Sequence, residues 1–183
     1  MVKEQKKEIG LNTMSKIEIA GIVEDSITDG PGLRFVVFTQ GCPHHCIGCH
    51  NPTTHKIGDG TIVDTMYLLE KIDANPLCSG VTLSGGDPII QASELIEFAK
   101  EVKKRNLNLA MFTGFTFEQL LKKNDKSINE LLSYIDVLID GKFELDKRSL
   151  ELKYKGSSNQ RTIDVKESLK QGEVVLMQNS SWN

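Results

Sequence analysis

Four short, mainly apolar segments, at residues 33–38, 81–83, 107–112 and 137–139, read as strands and each break off into a stretch unlike an ordinary turn. The first run is almost continuously apolar and carries β-branched Val36 and Val37. Runs of this kind mark strands buried on both faces, as in parallel sheets. Between the runs lie segments with helical spacing. Leu68, Leu69 and Ile72 follow Asp64, a candidate N-cap, and stop before Asn75-Pro76; Leu95, Ile96, Phe98, Ala99 and Val102 follow Ser93. Thr116 and Gln119 spell a capping box with Phe115 and Leu120 as its hydrophobic staple, and Ser127 and Glu130 spell a second box before Leu131, Leu132 and Ile135. The alternation predicts βαβ units and an α/β fold of mainly parallel strands.

The endings of the runs matter more than the runs themselves. The first leads into Cys42, Cys46 and Cys49, the second into Ser84-Gly85-Gly86-Asp87-Pro88, the third into Thr113-Gly114-Phe115 and the fourth into Asp140-Gly141-Lys142-Phe143. In parallel α/β folds the C-terminal ends of the strands converge on the active site. Four separate stretches therefore point to one place.

The cysteines define its chemistry. They fall in a single loop, G-C-P-H-H-C-I-G-C-H-N-P at 41–52, with C-x3-C-x2-C spacing, and the remaining cysteine, Cys78, is distant. Iron–sulfur clusters are held by cysteine thiolates. Three local thiols fill three corners of a cubane and leave the fourth iron open to a ligand, as a catalytic zinc keeps an open position. A zinc site is the competing reading, with Cys46 and Cys49 paired to Cys42 and one of His44, His45 or His50. The spacing favours the cluster, because zinc sites prefer two separated ligand pairs. Gly85-Gly86 brings backbone close to a ligand with no Cβ in the way, or is a plain glycine turn. Cys78 reads as a small structural residue, and Lys142, Arg148 and Arg161 as solvated surface, with pairing to a cofactor carboxylate or to a partner as the alternative. Trp182 is either a docking residue or an incidental aromatic.

Net charge is −3. Such a chain offers no polyanion-binding surface and is expected to bind no nucleic acid. No apolar run approaches the length of a membrane span, and the first residues lack the apolar centre of a signal peptide. A cytoplasmic protein without membrane attachment is expected, in a compartment where thiols stay reduced. Residues 1–15 read as a mobile polar leader, with Met14-Ser15 a possible second start, and residues 16–183 as one domain. Within it, Ile17, Ile19 and Ile22 begin a strand and residues 29–32 form a turn. Residues 53–60 read as loop, 146–155 as short helix or loop, 156–160 as loop, 161–165 as extended chain and 174–177 as a last strand.

With these motifs in view, the chain resembles the activating proteins of anaerobic (class III) ribonucleoside-triphosphate reductase, in the radical S-adenosylmethionine superfamily. The resemblance spans residues 22–165 and rests on D-G-P-G-L-R at 29–34, the cysteine loop, L-S-G-G-D-P at 83–88, F-T-G-F at 112–115, L-I-D-G-K-F at 138–143 and G-S-S-N-Q-R at 156–161. The first two motifs are shared with the pyruvate formate-lyase activating enzyme; the last two favour the reductase activators. The resemblance implies an incomplete (β/α) barrel, a partial TIM-like barrel of the radical S-adenosylmethionine type. It implies a 4Fe–4S cluster on Cys42, Cys46 and Cys49, and S-adenosylmethionine contacted by Gly48, Cys49, His50 and Gly86. Gly85 and Asp87 complete that cofactor-binding set, although Asp87 is shorter than the Glu common at its position. Gly48 stands where the superfamily often has an aromatic residue. The implied reaction is reductive cleavage of S-adenosylmethionine to a 5'-deoxyadenosyl radical, which takes hydrogen from a glycine of the reductase. An electron donor such as flavodoxin is implied as a second partner. No general base or nucleophile triad stands out.

Overall fold

A computed structural model describes residues 14–182. Seven strands form one sheet in the order β3-β1-β2-β4-β5-β6-β7. They are β1 (Lys16–Ser26), β2 (Arg34–Thr39), β3 (Thr61–Asp64), β4 (Gly80–Gly85), β5 (Asn108–Phe112), β6 (Val137–Asp140) and β7 (Arg161–Asp164). The centre, β2-β4-β5-β6, is parallel throughout. Antiparallel strands flank it, β1 and β3 on one side and β7 on the other. The fold is thus mixed α/β around a parallel centre. The helices are α1 (Thr65–Ala74), α2 (Ala92–Lys104), α3 (Phe117–Lys123), α4 (Lys126–Tyr134) and α5 (Val165–Gln171).

Strand side chains alternate between two faces, and the two faces differ here. Phe35, Val37, Val81, Leu83, Leu109, Met111, Leu138 and Ile163 join buried helix residues, among them Leu68, Leu95, Phe98, Val102, Leu120 and Leu131, in the main core. The alternate positions Ala110, Val137 and Ile139 pack instead on Trp182, with Phe112, Tyr154 and Met177 around them. Trp182 is therefore buried within the fold. Its ring also faces the guanidinium of Arg34 at 5.3 Å. Arg34 is fully buried and donates to Thr82 Oγ1 at 2.6 Å and to the Val81 carbonyl at 2.6 Å. Burial lowers its pKa to about 10. Arg34 and Trp182 thus fill the helix-free face of the sheet.

Several local expectations change. β3 follows directly on the expected loop, 53–60; it is a short edge strand with Ile62 exposed, so no alternation announces it, and pairing with β1 creates it. The helix α2 has no cap from Ser93, because a 3-10 turn, Pro88–Gln91, capped by Asp87, runs straight into it. Asp125 rather than Ser127 caps α4, accepting from the amides of Ser127 and Ile128. The Thr116–Gln119 box forms as expected. Residues 174–177 make only an isolated bridge, Leu176 to Ile163. Residues 146–155 hold the end of a 3-10 turn, Leu145–Lys147. Most of the expected leader lies outside the described residues, but Met14 packs on the core and Ser15 accepts from the Thr65 amide. No helix among the described residues is long and apolar enough to cross a membrane.

Candidate cofactor site at the strand ends

The loops after β2, β4, β5 and β6 all line one cavity of about 760 Å³. Cys42, Cys46 and Cys49 line it together, each half-buried and free of disulfides. The base of their loop is stitched down by backbone. The amides of Gly41 and Cys42 donate to the carbonyls of Thr54 and His55 at 2.7 and 3.0 Å, and the Asp87 amide donates to the Gly41 carbonyl at 2.8 Å. The Asn51 amide points at Cys49 Sγ, 3.4 Å away. Burial pushes the Cys42 thiol up from its ordinary value, and the other cysteines and Asp87 add to the rise. Metal binding there must release that proton.

The donor set fits an iron–sulfur cluster better than a zinc ion. His44 is spent on Asp87 (Nε2 to Oδ2, 2.7 Å), His45 stacks edge-on to His55, and His50 leans on Phe143. His44 is thereby committed to the strand ends rather than to the thiols. Among the described residues, no three His, Cys, Asp or Glu side chains converge on one ion position. A zinc site requires that convergence, whereas a cubane presents a separate iron to each thiolate.

The expected cofactor residues divide. Gly85, Gly86, Cys49 and His50 line the cavity. The glycines are required by the chain's own packing. A Cβ on Gly85, at φ +93°, would meet the Phe38 backbone at 2.7 Å, and one on Gly86 would meet the Gly41 carbonyl oxygen at 2.2 Å. Gly48, at φ +73°, lies against Leu145 and is not part of the cavity wall. Asp87 has a different place from the one expected. It is fully buried behind the wall, and its carboxylate is already engaged. Oδ2 accepts from His44, Thr113 Oγ1 (3.0 Å) and the Gly114 amide (3.0 Å), and Oδ1 accepts from the Ile89 amide (3.1 Å). A short carboxylate suits this internal node, which ties the cysteine loop to the ends of β4 and β5. Gly114 leaves room for it, since a Cβ there would strike the His44 ring at 2.3 Å.

A family model described as a 4Fe-4S single cluster domain matches residues 28–163. The anaerobic ribonucleoside-triphosphate reductase-activating protein of Pasteurella multocida is 38% identical over 142 residues, covering 73% of this chain and 89% of that protein. The chain belongs to that family of activating proteins. The phage T4 member is 34% identical over 139 residues, covering 73% of this chain and 85% of its own. The pyruvate formate-lyase-activating enzyme of Listeria monocytogenes is 42% identical over 95 residues, 48% of this chain and 36% of its own. A structural match to QueE from Escherichia coli has a TM-score of 0.47 and 18% identity, over 55% of this chain and 53% of that one.

Two features of this activating-protein chain escaped sequence reasoning. Arg161, expected at the solvated surface, forks onto Glu118 at 2.9 and 2.8 Å and also onto Asp140, whose carboxylate is buried and accepts from the Phe117 amide at 2.7 Å. Arg161 thereby fastens β7 to the end of β6 and the start of α3. Its hydrogen bonds hold the Glu118 carboxyl down at about 2. A depressed folded pKa stabilises above the ordinary carboxylate value and is lost as pH falls toward the folded one, so this contribution fades from pH 4.5 down to about 2. Replacing Arg161 with leucine strands the buried Asp140 carboxylate and is expected to cost ~3–5 kcal/mol in urea unfolding. Glu118→Gln alters a largely exposed group and is expected to cost under ~1 kcal/mol. Equal losses would contradict this division.

The second is His55, which lines the cavity and whose Nε2 is buried without a hydrogen-bond partner. It lies outside the cysteine motif, and the one sequence signal is its place six residues past Cys49.

Proposed function

We propose that this chain activates anaerobic ribonucleoside-triphosphate reductase by placing a glycyl radical on it. The carrying observation is the set of three free thiols at one cavity, in a chain that spans 89% of a reductase-activating relative. Cys42, Cys46 and Cys49 hold the 4Fe–4S cluster. With one electron from a donor, the bound cluster and S-adenosylmethionine would supply the radical chemistry that removes a hydrogen atom from a glycine of the reductase.

The chain's own residues bind, orient and shield. Gly85 and Gly86 present backbone to the cofactor, and His50 lies at the wall between Phe143 and Gly156. Proximity serves such chemistry better than acid–base groups, because the cofactor carries the difficult step. We read the sheet as an incomplete (β/α) barrel, supported by its helix-covered outer face and its plugged inner face. A reduced flavodoxin-like protein is the proposed electron donor.

Incubating the reduced protein with the anaerobic reductase and S-adenosylmethionine is expected to give a glycyl-radical signal by electron paramagnetic resonance. A signal on pyruvate formate-lyase and none on the reductase would reassign the partner.

A further inference from the structure

We propose that Trp182, which lies outside the cavity wall, positions that wall: through Tyr154 it holds residues 149–156 in place and so sets how tightly the cavity grips S-adenosylmethionine. The inference rests on the reading above that this cavity is the cofactor's site. Ser149, Leu150, Leu152, Tyr154, Lys155 and Gly156 all line the cavity that carries the three thiols. The stretch has no helix or strand of its own. Its neck is closed by a bridge between Arg148 and Ser157 and by the Ser149 amide, which donates to the Gly156 carbonyl at 3.4 Å. Beyond the neck, two contacts tie it to the segment that carries Trp182. Tyr154 meets the Trp182 ring edge-on, 5.6 Å between centroids and at 72°, and Lys153 Nζ donates to the Ser180 carbonyl at 3.1 Å.

Trp182 is a firm anchor. It is 4% exposed, packs on Ala110, Val137 and Ile139, and faces the buried Arg34 guanidinium at 5.3 Å. A Cβ on Gly30 would strike its ring at 2.8 Å, so the turn that follows the cavity residues Thr28 and Asp29 rests on the same ring. Tyr154 has φ +54°. L side chains rarely adopt this left-handed conformation, and it persists where the surroundings over-determine it. The ring contact with Trp182 supplies such a constraint. At the other end of the stretch, Gly156 lies against two rings: a Cβ there would meet Phe143 Cδ2 at 2.9 Å and His50 Cε1 at 3.1 Å. His50 directly follows Cys49. The stretch thus runs from the plugged face of the sheet to the cysteine loop. A wall ordered before binding favours affinity, because ordering it at the moment of binding costs free energy. Trp182 is a positioning residue and touches neither the cavity nor the thiols.

The test uses the full chain and two readouts. Limited trypsin digestion, with cuts after Lys153 and Lys155 mapped by mass spectrometry, reports release of the stretch without any cofactor. Equilibrium dialysis of S-adenosylmethionine against the cluster-loaded protein reports the grip. Trp182→Leu keeps the plug apolar and loses the ring. In it, cutting after Lys153 and Lys155 is expected to speed up, and the dissociation constant to rise, each by up to about tenfold, the worth of one aromatic pair. Cutting after Lys123, at the end of α3, and iron content are expected to match the parent. Trp182→Phe, which restores a ring, is expected to stay close to the parent in both readouts. Equal acceleration at all three lysines would mean a loss of global stability and would overturn the positioning role. So would parent-like cutting in Trp182→Leu, or cutting just as fast in Trp182→Phe. If Trp182→Leu does not fold, Tyr154→Leu leaves the plug in place and is expected to speed cutting by the same factor; unchanged cutting there overturns the proposal. Local release with unchanged cofactor affinity overturns the link to the cavity's grip. A parent that binds no S-adenosylmethionine would instead overturn the cofactor reading, on which the digestion does not depend.

Discussion

Cys46→Ser is expected to lose the cluster and all detectable cleavage of S-adenosylmethionine while the protein stays folded. The thiolate is a soft ligand suited to iron–sulfur centres, and a serine hydroxyl at neutral pH is not. Cys46 sits mid-loop, half-buried, and its Sγ takes no part in the hydrogen bonds that fix the loop base through Gly41 and Cys42. Its replacement should shift unfolding by no more than ~0.5 kcal/mol, as for a surface change. Cys78→Ser is the matched control. Its Sγ contacts the Gly80 carbonyl at 3.4 Å, at the start of β4 and away from the cavity wall. Iron content and cofactor cleavage should be unchanged there. Loss of the cluster in Cys78→Ser, or its retention in Cys46→Ser, contradicts the ligand assignment.

Asp87→Ala is expected to be the most destabilising single change at the site. It removes the acceptor for four donors at once: His44 Nε2, Thr113 Oγ1 and the amides of Gly114 and Ile89. These groups come from the cysteine loop, the end of β5 and the 3-10 turn before α2. Each buried donor left unpaired costs about 1–3 kcal/mol before relaxation. A total of roughly 4 kcal/mol after partial rehydration follows from the same range. Asp87→Asn keeps one oxygen and the shape, and is expected to lose about half as much by that reasoning. Thermal or urea unfolding of the metal-free protein reads this directly. Its insensitivity to Asp87→Ala would mean that the node does not hold the loops together. Cluster assembly should also suffer in Asp87→Ala, because the node anchors His44 between Cys42 and Cys46.

The sequence makes the parallel centre legible for a definite reason. β2, β4, β5 and β6 are buried on both faces, so most of their residues are apolar, with buried Arg34 and Thr82 hydrogen-bonded to each other where the pattern breaks, and each ends where backbone has to turn toward the cavity. The cysteine loop is legible because metal chemistry fixes both residue type and spacing. What stays hidden depends on contacts distant in sequence. Asp87 reads as a cofactor group until its four donors are seen, three of which lie at 44, 113 and 114. Arg161 reads as surface because nothing local announces Asp140 or Glu118. β3 exists only through its pairing with β1, and Trp182 is buried only because the inner face of the sheet needs a plug.

The central claim is that Cys42, Cys46 and Cys49 hold a cluster that cleaves S-adenosylmethionine. Its most direct test is the yield of 5'-deoxyadenosine and methionine from the anaerobically reconstituted protein under strong reduction. The account predicts that both products form and that both vanish in Cys46→Ser. A protein carrying its full complement of iron and sulfide that leaves S-adenosylmethionine intact would contradict it.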